Sequence, residues 1–167
     1  INQVAGMKIY LIGMPGSGKS TLGRKLAKEL LVEFVDLDHE IETKEKKSIK
    51  EIFSLSGEDY FRQVESQVLL DWSASSISFV MATGGGTPCF YKGIEVINET
   101  GLSIFLNVPV MQLLDRLEKK TDRPLLGAAD KQEMEEKLSV LRSRRLAVYQ
   151  QAHITVENPN LSKLMEV

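Results

Sequence analysis

One octapeptide constrains the fold of this chain more than any other stretch: Gly13-Met14-Pro15-Gly16-Ser17-Gly18-Lys19-Ser20. It follows a short apolar segment at 8–12, typical of a strand, and precedes a segment at 19–30 whose leucines have helical spacing. In this context the form G-x-x-x-x-G-K-[ST] is the pattern of a phosphate-binding P-loop. Because glycine lacks a Cβ atom, such a loop can turn successive N–H groups toward an anion, and the following helix adds its positive dipole end. The motif therefore predicts a nucleoside triphosphate site between a strand and a helix.

Two side chains of this loop carry the chemistry. Lys19 brings a full positive charge to the outer phosphates, and the Ser20 hydroxyl is a ligand for Mg²⁺. The alternative is a glycine-rich turn with a solvated lysine, which the flanking strand and helix disfavour. The motif does not say how the phosphate is used.

The length and charge of the chain narrow the class of protein. With 167 residues, 43% of them hydrophobic, the chain is long enough to bury a sizeable core, so we expect a single domain. The net charge of −2 gives no broad basic surface, and no apolar run approaches the length of a membrane span. Residues 1–6 lack the pattern of a signal peptide. We therefore expect no nucleic-acid or membrane partner.

Cys89 is the only cysteine of the chain. An internal disulfide is therefore impossible, which fits a reducing compartment, and we expect a cytoplasmic protein. His39 and His153 stand far from Cys89 and from each other in the sequence, so no zinc-site spacing is present.

Apolar runs and helical periodicities alternate along the chain. The predicted strands are 8–12, 33–36, 78–82, 102–108 and 154–156. The predicted helices are 19–30, one beginning near 38, 49–56, 58–75, 94–99, one beginning at Pro109 and bearing Met111, Leu114 and Leu117 on its apolar face, and 133–149. Segment 121–131 lacks periodicity and is expected to be a mobile loop. This alternation predicts a parallel sheet with helices on both faces and a site at the carboxyl ends of the strands.

Two carboxylates follow the predicted strand at 33–36. Asp36 and Asp38 are two residues apart, so in extended chain both side chains would face the same cleft. One can hold Mg²⁺ through water, and the other can accept a hydrogen bond from a substrate hydroxyl. The alternative for Asp38 is capping of the helix that follows.

Three consecutive glycines, Gly84-Gly85-Gly86, follow the buried strand at 78–82. Three glycines lose much backbone entropy on folding and bury no side chain. We expect a close approach of the backbone to a ligand, with N–H groups as donors. The alternative is a tight turn.

Arg145 falls within the apolar stripe of the last long helix. That stripe consists of Leu138, Leu141, Val148 and Ala152. An inward arginine needs an anionic partner, and a ligand carboxylate suits its planar guanidinium group. The alternatives are an internal ion pair or a snorkelling side chain. Arg142 and Arg144 lie off the stripe and are expected to be solvated.

Two further arginines have both a functional and an ordinary interpretation. Arg62 and Glu65 are three residues apart on one predicted helix, so Glu65 either orients Arg62 toward a substrate or forms a surface pair with it. Arg123 precedes Pro124 in the predicted loop. It is either a solvated residue or a cation on a closing lid, where it would stabilise a phosphoryl group during transfer.

Taken together, these motifs resemble the shikimate kinase family, small P-loop kinases of the nucleoside monophosphate kinase type. The matching stretches are 13–21, 35–38 (VDLD), 61–65 (FRQVE), 82–86 (ATGGG), 123–126 (RPLL), and Arg145 with Tyr149. The resemblance implies an α/β three-layer P-loop fold with a five-stranded parallel sheet in order 2-3-1-4-5 flanked by helices. It further implies one kinase domain over 1–167, with a substrate-binding segment at about 37–65 and a lid at about 119–132.

The resemblance also implies an activity: transfer of the ATP γ-phosphate to the 3-hydroxyl of shikimate, with Mg²⁺ as cofactor, in aromatic amino-acid biosynthesis. The implied ATP-binding residues are Gly16, Ser17, Gly18, Lys19, Ser20, Thr21, Arg116 and Arg123. The implied shikimate-binding residues are Asp38, Arg62, Gly85 and Arg145. Ser20 and Asp36 would serve the metal, and the catalytic residues would be Lys19, Asp38 and Arg123. ATP and shikimate are thus the expected partners of a monomer.

The chain departs from the family pattern at two places. Family members usually have a proline before the leucine of the Arg-x-Pro-Leu-Tyr stretch, whereas residues 145–149 here read RLAVY. An arginine often found beside the adenine has no counterpart near 157–160.

Three other functions are alternatives to this one. Another small-molecule kinase, for gluconate or a nucleotide, shares the P-loop chemistry, although the triple glycine argues against it by resemblance. A regulatory GTPase would need D-x-x-G and N/T-K-x-D segments, and neither occurs. An ATPase subunit of a larger assembly would usually have a longer chain.

Overall fold

A central parallel sheet organises the computed structural model, which describes residues 6–120 and 127–167. Its strands are β1 (Lys8–Ile12), β2 (Glu33–Asp36), β3 (Phe79–Ala82), β4 (Leu102–Asn107) and β5 (Ile154–Glu157). All four neighbouring pairs are parallel, and the strand order is β2-β3-β1-β4-β5. The order 2-3-1-4-5 expected from the resemblance is confirmed.

Helices connect the strands. They are α1 (Lys19–Leu30), α2 (Leu37–Glu45), α3 (Ile49–Ala74), α4 (Gly93–Thr100), α5 (Val110–Lys120), α6 (Gly127–Tyr149) and α7 (Leu161–Met165). The start of α3 is fixed by a capping box in which Ser48 and Glu51 exchange hydrogen bonds of 3.1 Å. Its regular geometry is broken at Gly57, whose φ is 83°, so the two helices expected on either side of this glycine meet at a kink.

The two faces of the sheet bury two separate clusters of apolar side chains. On one face, Tyr10 and Phe79 pack with residues of α3, α4 and α6. On the other, Leu11 and Val80 pack with residues of α1 and α7. Neighbouring strand residues thus point to opposite clusters, as the period of a strand requires. The result is the three-layer arrangement expected of buried parallel strands.

Two helix predictions are wrong in detail. The last long helix begins at Gly127, so the predicted loop at 121–131 overlaps helical residues. The lid at about 119–132 stays a prediction. The first turns of α6 are rich in strong helix formers but lack an apolar stripe, so a search for periodicity misses them. The apolar face predicted for α5 is wrong at Met111, which is 50% exposed, whereas Leu113 and Leu114 are fully buried.

Within the described ranges, every helix is too short or too polar to cross a bilayer.

Candidate active site

The P-loop joins the end of β1 to the start of α1 and depends on its glycines. Gly13, Gly16 and Gly18 all have positive φ, at 149°, 83° and 97°. At Gly13 a Cβ atom would also lie only 2.9 Å from the Leu106 carbonyl oxygen. Because other residues rarely adopt these backbone angles, only glycine allows the chain to turn here and enter α1.

Lys19 and Arg116 are both fixed to the carbonyl groups of this loop. The buried Lys19 ammonium donates hydrogen bonds to the carbonyl oxygens of Gly13 at 2.5 Å and Met14 at 3.1 Å. The exposed Arg116 reaches across from α5 and donates to the Gly16 carbonyl at 3.1 Å. Two cations therefore contact the backbone of the loop.

An oxygen pair suited to a hard cation lies beside the loop. The Ser20 hydroxyl donates to Asp36 Oδ2 at 3.2 Å. Asp36 ends β2 and caps α2, because its Oδ1 accepts from the His39 amide at 3.3 Å. A hydroxyl and a carboxylate are the ligand types that Mg²⁺ takes when phosphates and waters fill its other positions. Among residues 6–120 and 127–167, no group of three or more His, Cys, Asp or Glu side chains could hold a metal by itself.

Asp38 lies in the same cleft, but not for the reason inferred from the sequence. It sits in the first turn of α2 rather than in extended chain, and the capping residue is Asp36. Burial, followed by the nearby carboxylates of Asp36 and Glu65, raises the pKa of Asp38 to about 6 against the lowering effect of Lys19. The Asp38 carboxyl group is therefore poised to change its charge close to neutral pH.

The triple glycine leaves room for charged side chains of the protein itself. A Cβ atom on Gly84 would lie 3.1 Å from both Asp38 Oδ1 and Glu65 Oε2. On Gly85 it would lie 2.8 Å from an Arg145 nitrogen, and on Gly86 2.6 Å from an Arg62 nitrogen. None of the three has positive φ. The absence of Cβ atoms thus lets two carboxylates and two guanidinium groups approach this backbone closely.

Arg62 is buried and held on several sides. Its guanidinium forms ion pairs with Glu65 at 3.0 Å and with Glu58 at 3.4 Å, and its Cζ lies 4.1 Å above the centre of the Phe90 ring. Arg62 is 7% exposed and Glu65 only 2%, so the interpretation as a surface pair is wrong. Sequence reasoning missed Phe90 and Thr87. The available signal was that Thr87 directly follows the triple glycine and that Phe90 lies three residues later.

Arg145 reaches the other side of the triple glycine from α6. It is half-buried and lies within hydrogen-bonding reach of the Tyr149 hydroxyl. Burial raises the pKa of Tyr149 to about 12 despite the nearby Arg145 charge. In the part of the chain that the structure describes, no carboxylate lies within ion-pair distance of Arg145.

Arg142 on the same helix is also half-buried and donates a hydrogen bond to Asn107 at 2.9 Å, so the expectation that it is solvated is wrong.

A cleft of about 1040 Å³ extends from the P-loop to Asp38 and the first two glycines of the triple glycine, and Arg62 and Arg145 are not among its lining residues. It is lined by the P-loop, by Asp36 and Asp38, by Thr83-Gly84-Gly85, by Arg116 and by 159–161. At the outer edge, the Asn160 side chain caps α7 by accepting from the Lys163 amide at 2.9 Å. Pro159, Asn160 and Leu161 line the cleft in the region where the arginine often found in the family has no counterpart. Arg123 lies outside the described residues.

Comparison with known proteins agrees with this arrangement. A family model described as "Shikimate kinase" matches residues 15–166. A shikimate kinase of Clostridium botulinum is 44% identical over 154 residues, which cover 91% of this chain and 88% of that protein. The solved shikimate kinase of Acinetobacter baumannii in complex with shikimate is 37% identical, with a TM-score of 0.81 over 95% of this chain and 88% of that one. That of Bacteroides thetaiotaomicron is 34% identical, with a TM-score of 0.85 over 96% and 99%. The chain therefore belongs to the shikimate kinase family, ATP-dependent kinases that act on an alcohol group.

Proposed function

We propose that this chain transfers the γ-phosphoryl group of ATP to the 3-hydroxyl of shikimate, giving shikimate 3-phosphate and ADP in aromatic amino-acid biosynthesis. The observation that carries the proposal is the convergence of Asp38, Arg62 and Arg145 on the triple glycine beside a P-loop. Shikimate has one carboxylate and three hydroxyl groups. Two planar guanidinium groups suit the carboxylate, and one aspartate suits the hydroxyls. The Acinetobacter baumannii relative, which binds shikimate, supports this assignment.

The phosphates of ATP would lie in the P-loop. Gly16, Ser17, Gly18, Lys19, Ser20 and Thr21 would contact them at the start of α1, where the helix dipole favours an anion. Lys19 leaves its carbonyl acceptors to contact the outer phosphates, and Arg116 lies by the adenine. The proposed role of Arg123, charge stabilisation from the lid, rests on the resemblance alone.

Asp38 would hold the reacting hydroxyl. The hydroxyl oxygen forms a bond to the γ-phosphorus as the bond from that phosphorus to the bridging oxygen of ADP breaks, and Asp38 accepts the released proton. A carboxylate with a pKa of about 6 is ionised at neutral pH yet basic enough to take that proton. Most of the rate enhancement would come from positioning and charge neutralisation, as is general for phosphoryl transfer.

Ser20 and Asp36 would hold Mg²⁺. Their 3.2 Å hydrogen bond puts a hydroxyl and a carboxylate oxygen next to each other at the edge of the loop. When bound, the cation neutralises phosphate charge. The monomeric state and the cytoplasmic location stay predictions.

A panel of acceptors tests the function. ADP release should be measured with ATP and Mg²⁺ in the presence of shikimate, gluconate, AMP or no acceptor. Shikimate should be the only strong acceptor, and chelation of the metal should stop its turnover. Comparable rates with gluconate or AMP would overturn the assignment in favour of another small-molecule kinase. ADP release that needs no acceptor would favour an ATPase.

A further inference from the structure

Glu65 is a buried carboxylate with both oxygens occupied by protein donors. Oε1 accepts from Arg62 at 3.0 Å, and Oε2 accepts from the Thr87 hydroxyl at 2.9 Å. Glu65 and Thr87 are each only 2% exposed, so bulk water has no access to this contact. The position of Glu65, and through it that of Arg62, therefore depends on the Thr87 hydroxyl.

The backbone of Thr87 is itself firmly held. It begins a short 3₁₀ turn, Thr87–Cys89, in which the Thr87 amide donates to the Gly84 carbonyl at 3.1 Å. A Cβ atom on Gly93 would overlap the Thr87 carbonyl oxygen, so the start of α4 packs directly against this turn. The hydroxyl is thus presented from a fixed point at the end of the triple glycine.

The same turn also fixes Arg62 in a second direction. Phe90 follows the turn, and its ring lies under the Arg62 guanidinium. Glu65 restrains the guanidinium along its edge, and Phe90 restrains it along its face. Among the described residues, the Arg62 Nε atom is buried and has no hydrogen-bond partner. The other ion pair of Arg62, with Glu58, is longer at 3.4 Å and involves a side chain that is 56% exposed, so Glu65 is the closer and better shielded of its two carboxylate partners.

We propose that Thr87 is a positioning residue for the substrate carboxylate site, acting through Glu65 on Arg62. The proposal rests on the assignment of Arg62 to the substrate. Without the hydroxyl, Glu65 Oε2 would be a charged acceptor without a donor in a site closed to water. A buried polar group left in this state is destabilised strongly enough to move or to take up a proton. Either change weakens the hold of Glu65 on Arg62 before substrate arrives.

Thr87→Val removes the hydroxyl at nearly constant shape. Steady-state kinetics should show the KM for shikimate raised roughly tenfold, while kcat and the KM for ATP stay within about threefold. Thr87→Ser keeps the hydroxyl and should restore a KM near that of the wild type. Thr100→Val is the matched control, because it removes a hydroxyl that bonds the Val96 carbonyl and Tyr10 rather than Glu65. It should leave the KM for shikimate unchanged.

A double-mutant cycle separates positioning from general structural damage. If Thr87 acts through Glu65, Thr87→Val should add little to the KM in a Glu65→Gln background. Additive effects of the two changes would overturn the proposal, as would an unchanged KM in Thr87→Val. If Thr87→Val does not fold, Thr87→Ser and Thr87→Ala are compared instead. Equal KM values for shikimate in these two variants would exclude a role of the hydroxyl. Failure of the wild type to use shikimate would instead overturn the proposed function itself.

Discussion

The Tyr149 hydroxyl donates a 2.6 Å hydrogen bond to the Gly85 carbonyl oxygen. This bond ties the last residue of α6 to the middle of the triple glycine, 64 positions away in the sequence. The Tyr149 ring is fully buried and packs against Phe105 at 5.1 Å between centroids. Arg145, one helical turn earlier, is thereby held against the same glycines.

Tyr149→Phe should destabilise the protein by about 1–2 kcal/mol, because a half-buried carbonyl loses its donor while the ring packing is kept. Denaturant unfolding would measure the free energy of unfolding, whose slope with denaturant concentration should be unchanged. Tyr91→Phe is the control, since Tyr91 is 54% exposed and should lose almost nothing. Equal losses in both variants would mean that the bond to Gly85 contributes no stability.

Arg145→Lys should mainly weaken shikimate binding. Lysine keeps the charge but loses the planar group, so about 1.5–3 kcal/mol of binding free energy is expected to disappear with one charged hydrogen bond. Calorimetric titration of both proteins with shikimate measures this loss of binding free energy. Arg144→Lys is a matched control on the same helix, because Arg144 is exposed and should change nothing. If Arg145→Lys also binds shikimate like the wild type, Arg145 is structural and another group binds the carboxylate.

Asp38→Asn should lower kcat by roughly a hundredfold or more if Asp38 takes the proton of the hydroxyl. In the wild type, kcat/KM should fall as the pH drops through about 6, because Asp38 then becomes protonated. Steady-state kinetics between pH 5 and 8 would show both effects. A loss confined to shikimate affinity would make Asp38 an anchor rather than a base.

The same variant should be more stable than the wild type at high pH. The pKa of Asp38 is raised from 3.8 to about 6 on folding, so the native state binds the proton more tightly than the unfolded chain does. This contribution is fully present below about pH 4 and is lost as the pH rises through 6. Asp38→Asn should therefore gain about 1–3 kcal/mol over the wild type at pH 8 and almost nothing at pH 4. Urea unfolding at the two pH values measures the difference, and a pH-independent gain would argue against the raised pKa.

Lys19→Ala should reduce kcat by roughly a hundredfold or more, because the lysine neutralises charge on the transferring group. The protein should remain folded, with a modest loss of stability from the two carbonyl contacts. Circular dichroism and ADP release measure the two effects. Lys28→Ala, at an exposed position of the same helix, is the control. A variant that retains most of its activity would remove Lys19 from the catalytic set.

The sequence by itself predicted the parts of this protein that depend on local chemistry. The P-loop glycines, the capping box at Ser48 and the alternation of strands and helices are all short-range patterns. They were therefore enough to predict the layered architecture and a phosphate site. The strand order was predicted only with the help of the family resemblance. The same holds for the inward direction of Arg145, which follows from helical spacing alone.

The family resemblance grouped Asp38, Arg62, Gly85 and Arg145, but only the tertiary structure shows how they meet at the triple glycine and that Thr87 joins them. Thr87, Glu65, Asp38 and Arg145 come from four separate segments, and no periodicity relates them. Their contacts arise because parallel strands bring their carboxyl ends to one edge of the sheet, where the segments that follow them pack together. Burial also depends on this packing, so desolvation exists only in the folded chain. There it raises the pKa of Asp38 and makes the Arg62–Glu65 pair a buried ion pair rather than a surface one.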